Sequence, residues 1–117
     1  MDPLRRLLID DTAHTLMLAN ELFRLLDREV PCTAITVFLY IAAHDNCHKQ
    51  ALEEDLDLST ASASRTIDML CEVNRLKQTG LGLVEKQPDP ANGRRLIVSL
   101  TPKGKSFLKQ YKESIYG

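Results

Sequence analysis

No stretch of this chain approaches the roughly 18 consecutive apolar residues of a membrane-spanning helix, so no membrane span is expected. The first residues, MDPLRRLLIDD, set acids within a few positions of a short apolar run and do not read as a signal peptide. Cysteine is scarce: Cys32, Cys47 and Cys71 are odd in number and widely spaced. That pattern fits reduced thiols in a cytoplasmic setting and not a disulfide framework. Catalytic signatures are missing as well. There is no G-x-S-x-G, no phosphate-cradling glycine loop and no zinc-protease motif, so no enzyme is expected. HDNCH brings His44, Cys47 and His48 together, but no second ligand cluster stands at zinc-like spacing. Neither a metal nor a cofactor is expected. Repeats, low-complexity tracts and linkers are absent too, and 117 residues read as a single domain, 1–117.

What is present is an uneven charge. The net charge is −1, yet residues 1–64 carry five basic and eleven acidic side chains and residues 65–117 carry ten basic and five acidic ones. A basic half on a near-neutral chain can attract a polyanion locally. An unevenly charged solvated surface is the plain alternative.

Apolar periodicity predicts the elements. Leu4, Leu7, Leu8, Leu18, Leu22, Leu25 and Leu26 recur at helical spacing, which predicts one long N-terminal helix over 3–29 with a polar middle. Val30-Pro31 is a break. Residues 32–44, CTAITVFLYIAAH, are nearly all apolar and predict a buried helix. A short polar connection at 45–49 leads to a short helix over 50–56 and a tight turn at Asp57-Leu58. Ser59 is placed to cap the next helix. That helix is predicted from Thr60 toward Gln78, with Ala63, Ile67, Leu70, Val73 and Leu76 or the stem of Lys77 on its buried line. Two β-prone runs, 83–87 and 95–100, flank the turn-rich PDPANGR, where Asn92-Gly93 is the hairpin signal. Thr101 and Pro102 open a last amphipathic helix over 102–115, with Phe107, Leu108, Tyr111 and Ile115 as its stripe. The order predicts a mainly α fold with a small β-hairpin, a winged helix-turn-helix with its core over 32–104.

The stretch LSTASASRTIDML, residues 58–70, shows why that fold would exist. One face of the predicted helix carries only small side chains around a single arginine, Arg65. A core helix would carry bulk there, and a merely solvated one would carry Glu and Lys. A helix that approaches a large charged surface closely needs this bareness.

Three fragments resemble the MarR family of winged-helix transcription regulators. DLDLSTASASRTIDML is similar to that family's turn and recognition helix, GLVEKQPDPANGRR to its second strand and wing, and VSLTPKG to its third strand and following helix. The likeness runs from about Val30 to about Gly104. Departures are Glu53 where the family usually has a small residue, Asp57 where it often has glycine, and Asn92 where the wing usually has aspartate. EVNRLKQT, residues 72–79, looks inserted and would lengthen the recognition helix by about two turns. The family usually carries a further C-terminal helix and dimerises through its terminal helices.

The resemblance implies a sequence-specific double-stranded DNA-binding regulator, more often a repressor than an activator. Its recognition helix would enter the major groove and its wing a minor groove. Thr60, Ser62, Ser64, Arg65, Asp68 and Met69 are the candidate readers on the helix, with Arg94 and Arg95 on the wing. Strand alternation predicts that one of the two arginines points outward and the other across the sheet. His48, Lys49, Gln50, Lys86 and Lys103 are candidate phosphate contacts. A homodimer is expected through Leu4, Leu8, Leu18, Leu22, Leu25, Phe107, Tyr111 and Ile115. One rival is a protein-interaction module that uses the acidic face of LEEDLD to hold a protein partner. Another keeps DNA binding but assigns it to plasmid or viral replication or partition.

Overall fold

The computed structural model describes residues 7–73 and 79–117. Eight elements follow in order: helix α1 (Asp11–Leu26), helix α2 (Cys32–His44), strand β1 (Cys47–His48), helix α3 (Lys49–Leu56), helix α4 (Thr60–Leu70), strand β2 (Val84–Asp89), strand β3 (Asn92–Leu100) and helix α5 (Pro102–Tyr116). The strands form one antiparallel sheet in the order β1-β3-β2. None of the helices among the described residues is long and apolar enough to cross a membrane.

The hydrophobic centre is aromatic. Phe23 of α1 meets Phe38 of α2 edge-on at 5.6 Å and Phe107 of α5 at 4.8 Å, and Phe38 and Phe107 close the triangle at 5.5 Å. Edge-to-face rings at this spacing add roughly 1 kcal/mol per pair beyond area burial. Around them lie Val37, Ile41, Leu52, Ala63, Ile67, Leu70, Leu83, Val84 and Val98, all buried. Gly104 sits where α5 crosses the chain before β2. A Cβ there would stand 2.0 Å from the Leu83 carbonyl oxygen, so only glycine permits this approach.

Four expectations need correction. Helix α1 begins at Asp11, with residues 7–10 outside any helix, because the Asp10 side chain accepts from the Ala13 N–H and caps it there. Leu8 is exposed outside the helix, and Leu4 lies outside the described residues. The connection after α2 contains a strand: Cys47 pairs Val98 and His48 pairs Ile97. Asp45 and Asn46 turn into it with positive φ, a conformation that short polar side chains tolerate. Helix α4 stops at Leu70, where the Cys71 N–H closes the last turn on Asp68 and Ile67. The chain then leaves and returns at one place. Val73 bridges Thr79, Gly80 N–H donates to the Glu72 carbonyl (2.8 Å), Leu81 N–H to Met69 (3.0 Å) and Leu83 N–H to Leu70 (2.8 Å). Helix α4 is therefore not lengthened beyond Leu70. Val73 is exposed, and Leu76, Lys77 and Gln78 lie outside the described residues. Finally, the hairpin turns at Pro90-Ala91, and Asn92-Gly93 already belong to β3.

The terminal helices divide their expected roles. Phe107 is buried in the aromatic centre, Tyr111 packs on Phe23 at 5.5 Å, and Leu22 packs against the same core. Phe107 is taken up by its own subunit's core, whereas Leu22 and Tyr111 are only partly buried there. Leu18 and Leu25 are exposed, together with Leu7, Ile9, Leu16 and Met17, and Ile115 is half-buried.

Candidate nucleic-acid interface

Two short helices and one tight turn place the central helix. α3 ends because Asp57 takes the left-handed conformation (φ 53°, ψ 49°), and the Leu58 N–H returns to the Glu53 carbonyl at 2.9 Å. The Ser59 hydroxyl accepts from the Ser62 N–H at 3.0 Å and starts α4. Leu58 and Leu56 lie half-buried at this corner. α4 then buries Ala63, Ile67 and Leu70, the line expected from its period. Its other side presents Ala61 and Arg65 exposed, with Ser62 and Ser64 half-buried. Arg65 makes no ion pair with any described residue.

Asp68 and Met69 do not share that exposed face. Asp68 is buried, at 7% exposure, and accepts from the Lys86 ammonium at 2.5 Å. Met69 is partly buried against the hydrophobic cluster. The reason is helical geometry: position 68 follows the buried Ile67 and leans toward β2. Lys86 shares the inner face of β2 with the buried Val84, two residues earlier, and so points at α4.

Lys86 is one of five candidate phosphate contacts, and each of the five has a partner within the protein. The His48 Nε2 meets Asp89 Oδ2 at 2.8 Å. Lys49 donates to Glu53 (2.7 Å) and to the Thr60 carbonyl (3.4 Å). Gln50 donates to Glu54 (3.3 Å), and Lys103 to the Leu81 carbonyl (2.8 Å). His48, Lys86 and Lys103 tie separate segments together, Gln50 bonds within α3, and Lys49 does both. Thr60 is partly committed too, since its hydroxyl donates to Glu53 at 2.7 Å.

The acidic helix α3 is largely explained by those bonds. Hydrogen bonds from Lys49 and then Thr60 hold the Glu53 carboxyl below its ordinary range. Asp55 accepts from the Tyr40 hydroxyl at 2.6 Å, which pushes that phenol up to about 12. Glu54 and Asp57 remain exposed.

The wing shows its arginines through an irregularity. β2 and β3 pair regularly from Val84↔Leu100 to Pro88↔Leu96, then slip so that Asp89 faces Asn92. One step on β2 spans four on β3, which leaves Gly93, Arg94 and Arg95 without partners in the ladder. Bulges of this kind re-aim side chains. Arg94 and Arg95 are both exposed, so the simple alternation expected for them does not apply. The tip is set by side-chain caps: Ala91 N–H donates to Asp89 (2.9 Å) and Arg94 N–H to Asn92 (3.1 Å).

Cys47 and Cys71 are buried, and His44 packs within its own helix. Burial pushes the Cys47 and Cys71 thiols up, while Cys32 is exposed. The His44 ring stacks on Tyr40 at 4.0 Å, and its Nδ1 lies 2.8 Å from the Tyr40 carbonyl. No metal-ligating group of three forms among the described residues.

The sequence reading missed Asp89. It lies in the loop assigned to the turn, and its partner His48 is 41 positions away. The Asp-Asn pair that turns the chain into β1 was the available signal.

No protein-family model and no curated protein matches the chain. Solved structures do. MarR aligns at 19% identity over 87% of this chain and 73% of its own, with a TM-score of 0.61. A MarR transcriptional regulator from Methanosarcina mazei Go1 aligns at 18% identity over 87% of this chain and 66% of its own, with a TM-score of 0.66. A mutant MarR from E. coli complexed with operator DNA aligns at 20% identity over 90% of this chain and 74% of its own, with a TM-score of 0.61. Helix-turn-helix, three-stranded wing and flanking helices together give this chain the winged-helix fold of the MarR transcriptional regulators.

Proposed function

We propose that this chain is a sequence-specific double-stranded DNA-binding regulator of transcription that acts as a repressor by occupying its site. The observation that carries the reading is the bare exposed face of α4, Ala61, Ser62, Ser64 and Arg65, next to a hairpin that displays Arg94 and Arg95. Small side chains let a helix sink into the major groove, where an arginine can donate two bonds to a guanine edge, for about 1–3 kcal/mol of discrimination. The free N–H groups at the start of α4, at Thr60, suit a phosphate. Wing arginines suit a narrow minor groove. Complexation with operator DNA in a MarR structure of the same fold supports the assignment.

The same reading makes the protein a homodimer. Leu8, Leu18 and Leu25, with Leu7, Ile9, Leu16 and Met17, form an apolar surface on and before α1 that its own subunit leaves uncovered. A second copy would cover it, and the two α4 helices would read half-sites about one helical turn apart. The test is selection of bound duplexes from a random pool, followed by titration of Arg65→Ala and Arg94→Ala on the selected site. Arg65→Ala should weaken binding and relax the preference at one base pair. Arg94→Ala should weaken binding across sites of similar shape. Recovery of no preferred sequence would remove the repressor reading.

A further inference from the structure

His48 is bound to the wing in a way that base reading does not require. It sits at the end of β1, opposite Ile97, which in turn lies opposite Gln87 of β2. Direct cross-strand pairing puts His48, Ile97 and Gln87 on one face of the sheet, and Arg95 lines the same recess as His48. The imidazole therefore reaches over the central strand to Asp89 Oδ2 at 2.8 Å, joining the two edge strands above β3. Asp89 is also the residue at which the register slips, and its other oxygen takes the Ala91 N–H that closes the tip. One carboxylate thus holds the turn that displays the wing arginines, and one histidine holds that carboxylate.

The surroundings make the charge state matter. A recess of about 180 Å³ beside the pair is lined by His48, Gln50, Ala51, Glu54 and Arg95. The charged groups facing His48 are Asp89 on β2, Arg95 on β3 and Glu54 on α3, the last hydrogen-bonded to Gln50. The Asp89 carboxyl lies below its ordinary range, chiefly through the His48 hydrogen bond, then through Ala91 N–H and the charges of His48 and Arg95. A protonated imidazole compensates Asp89 without calling on the exposed Arg95. A neutral imidazole leaves the carboxylate charge uncompensated, with Arg95 a cation that already acts on it.

We propose that His48 is a proton-dependent positioning residue for the wing, which frees Arg95 for a duplex phosphate when protonated and surrenders it to Asp89 when neutral. This rests on the DNA-binding reading of the wing. Duplex affinity then falls as pH rises through the range where histidine titrates. The ceiling is about tenfold per pH unit, the limit for one linked proton. The salt dependence at high pH is shallower by about one phosphate contact, a slope change near 0.9.

The experiment is fluorescence anisotropy with a mixed-sequence duplex at about pH 6 and about pH 8, the span that histidine crosses, for wild type, His48→Gln and Asp89→Asn. Both variants are expected to lose the pH dependence, in opposite directions. His48→Gln stays at the weak, high-pH affinity, because nothing balances Asp89. Asp89→Asn stays at the strong, low-pH affinity, because no carboxylate draws Arg95 back. Retained pH dependence in Asp89→Asn would mean that His48 meets phosphate itself, and weak binding by both variants would mean a purely structural pair. Either result overturns the proposal. An NMR titration of the free protein separates it from the DNA reading. The His48 ring and the Arg94–Arg95 amides should titrate together, and if they do while wild type binds no duplex, the latch stands and the DNA reading falls. Independent titration overturns the latch.

Discussion

Replacing Lys86 with methionine separates an internal fastening from a phosphate contact. The substitution keeps the aliphatic stem along β2 and removes the ammonium, so packing against α4 changes little. Asp68 is left at 7% exposure without its cation. Breaking a fully buried pair from one side costs about 3–5 kcal/mol. The Lys86 side chain is 39% exposed, however, so water screens the pair and reaches the carboxylate's edge. A loss of about 1–2 kcal/mol follows, within the cost of stranding a partly solvated polar group. Asp68→Asn should lose less, because its amide oxygen still accepts from Lys86, and Asp68→Asn with Lys86→Met should cost less than the two losses added. The assay is urea unfolding followed by circular dichroism. With a slope of about 1–3 kcal/mol per molar for a domain of this size, the midpoint should drop by roughly 1 M. Unchanged stability in Lys86→Met, together with a salt slope for duplex binding reduced by about 0.9, would refute the reasoning and return Lys86 to the phosphate contacts.

Other predictions follow from the same geometry. Phe23→Ala should cost about 3–5 kcal/mol, since it removes one corner of the buried aromatic triangle, and thermal unfolding will measure it. Ser59→Ala should cost about 1 kcal/mol by uncapping α4, and Asp57→Gly should stabilise slightly by relieving a left-handed residue, both readable from urea midpoints. The Glu53 carboxyl is held low by Lys49 and Thr60. Its contribution is therefore complete above the unfolded carboxylate value of about 4.3 and is lost as pH falls through the lower folded value. Glu53→Gln should flatten that acid limb. Tyr40, bonded to Asp55, should ionise at about 12 in a phenolate absorbance titration. Its extra stability is present below the unfolded value near 10 and disappears as pH rises toward 12.

Much of the fold was legible because its signals are local. The Ala63, Ile67, Leu70 line, the Ser59 cap and the Thr101-Pro102 start of α5 each depend on neighbours within a turn, and each stands where periodicity put it. The errors arose where distant contacts decide. Val73 and Leu76 continued the helical period, but the backbone bonds from Gly80, Leu81 and Leu83 back to the end of α4 stop the helix at Leu70. A two-residue strand such as Cys47–His48 is too short to have a period and exists because β3 is there to pair with it. The readers divide in the same way. Arg65 could be placed from its own helix. Lys86 and His48 could not, because their partners lie across the fold and lone cations in a sequence look alike. Asp68 was assigned to the exposed face because a helical wheel has no knowledge of the wing strand beside it.

The most direct test of the DNA-binding account is fluorescence anisotropy of the protein with a labelled mixed-sequence duplex at about 50 and about 200 mM salt, the range over which phosphate contacts weaken strongly. The account predicts binding at the lower salt that falls steeply at the higher one, and weaker binding by Arg65→Ala and Arg94→Ala. Absence of binding at the lower salt, or affinity unmoved by salt and by both substitutions, would contradict it.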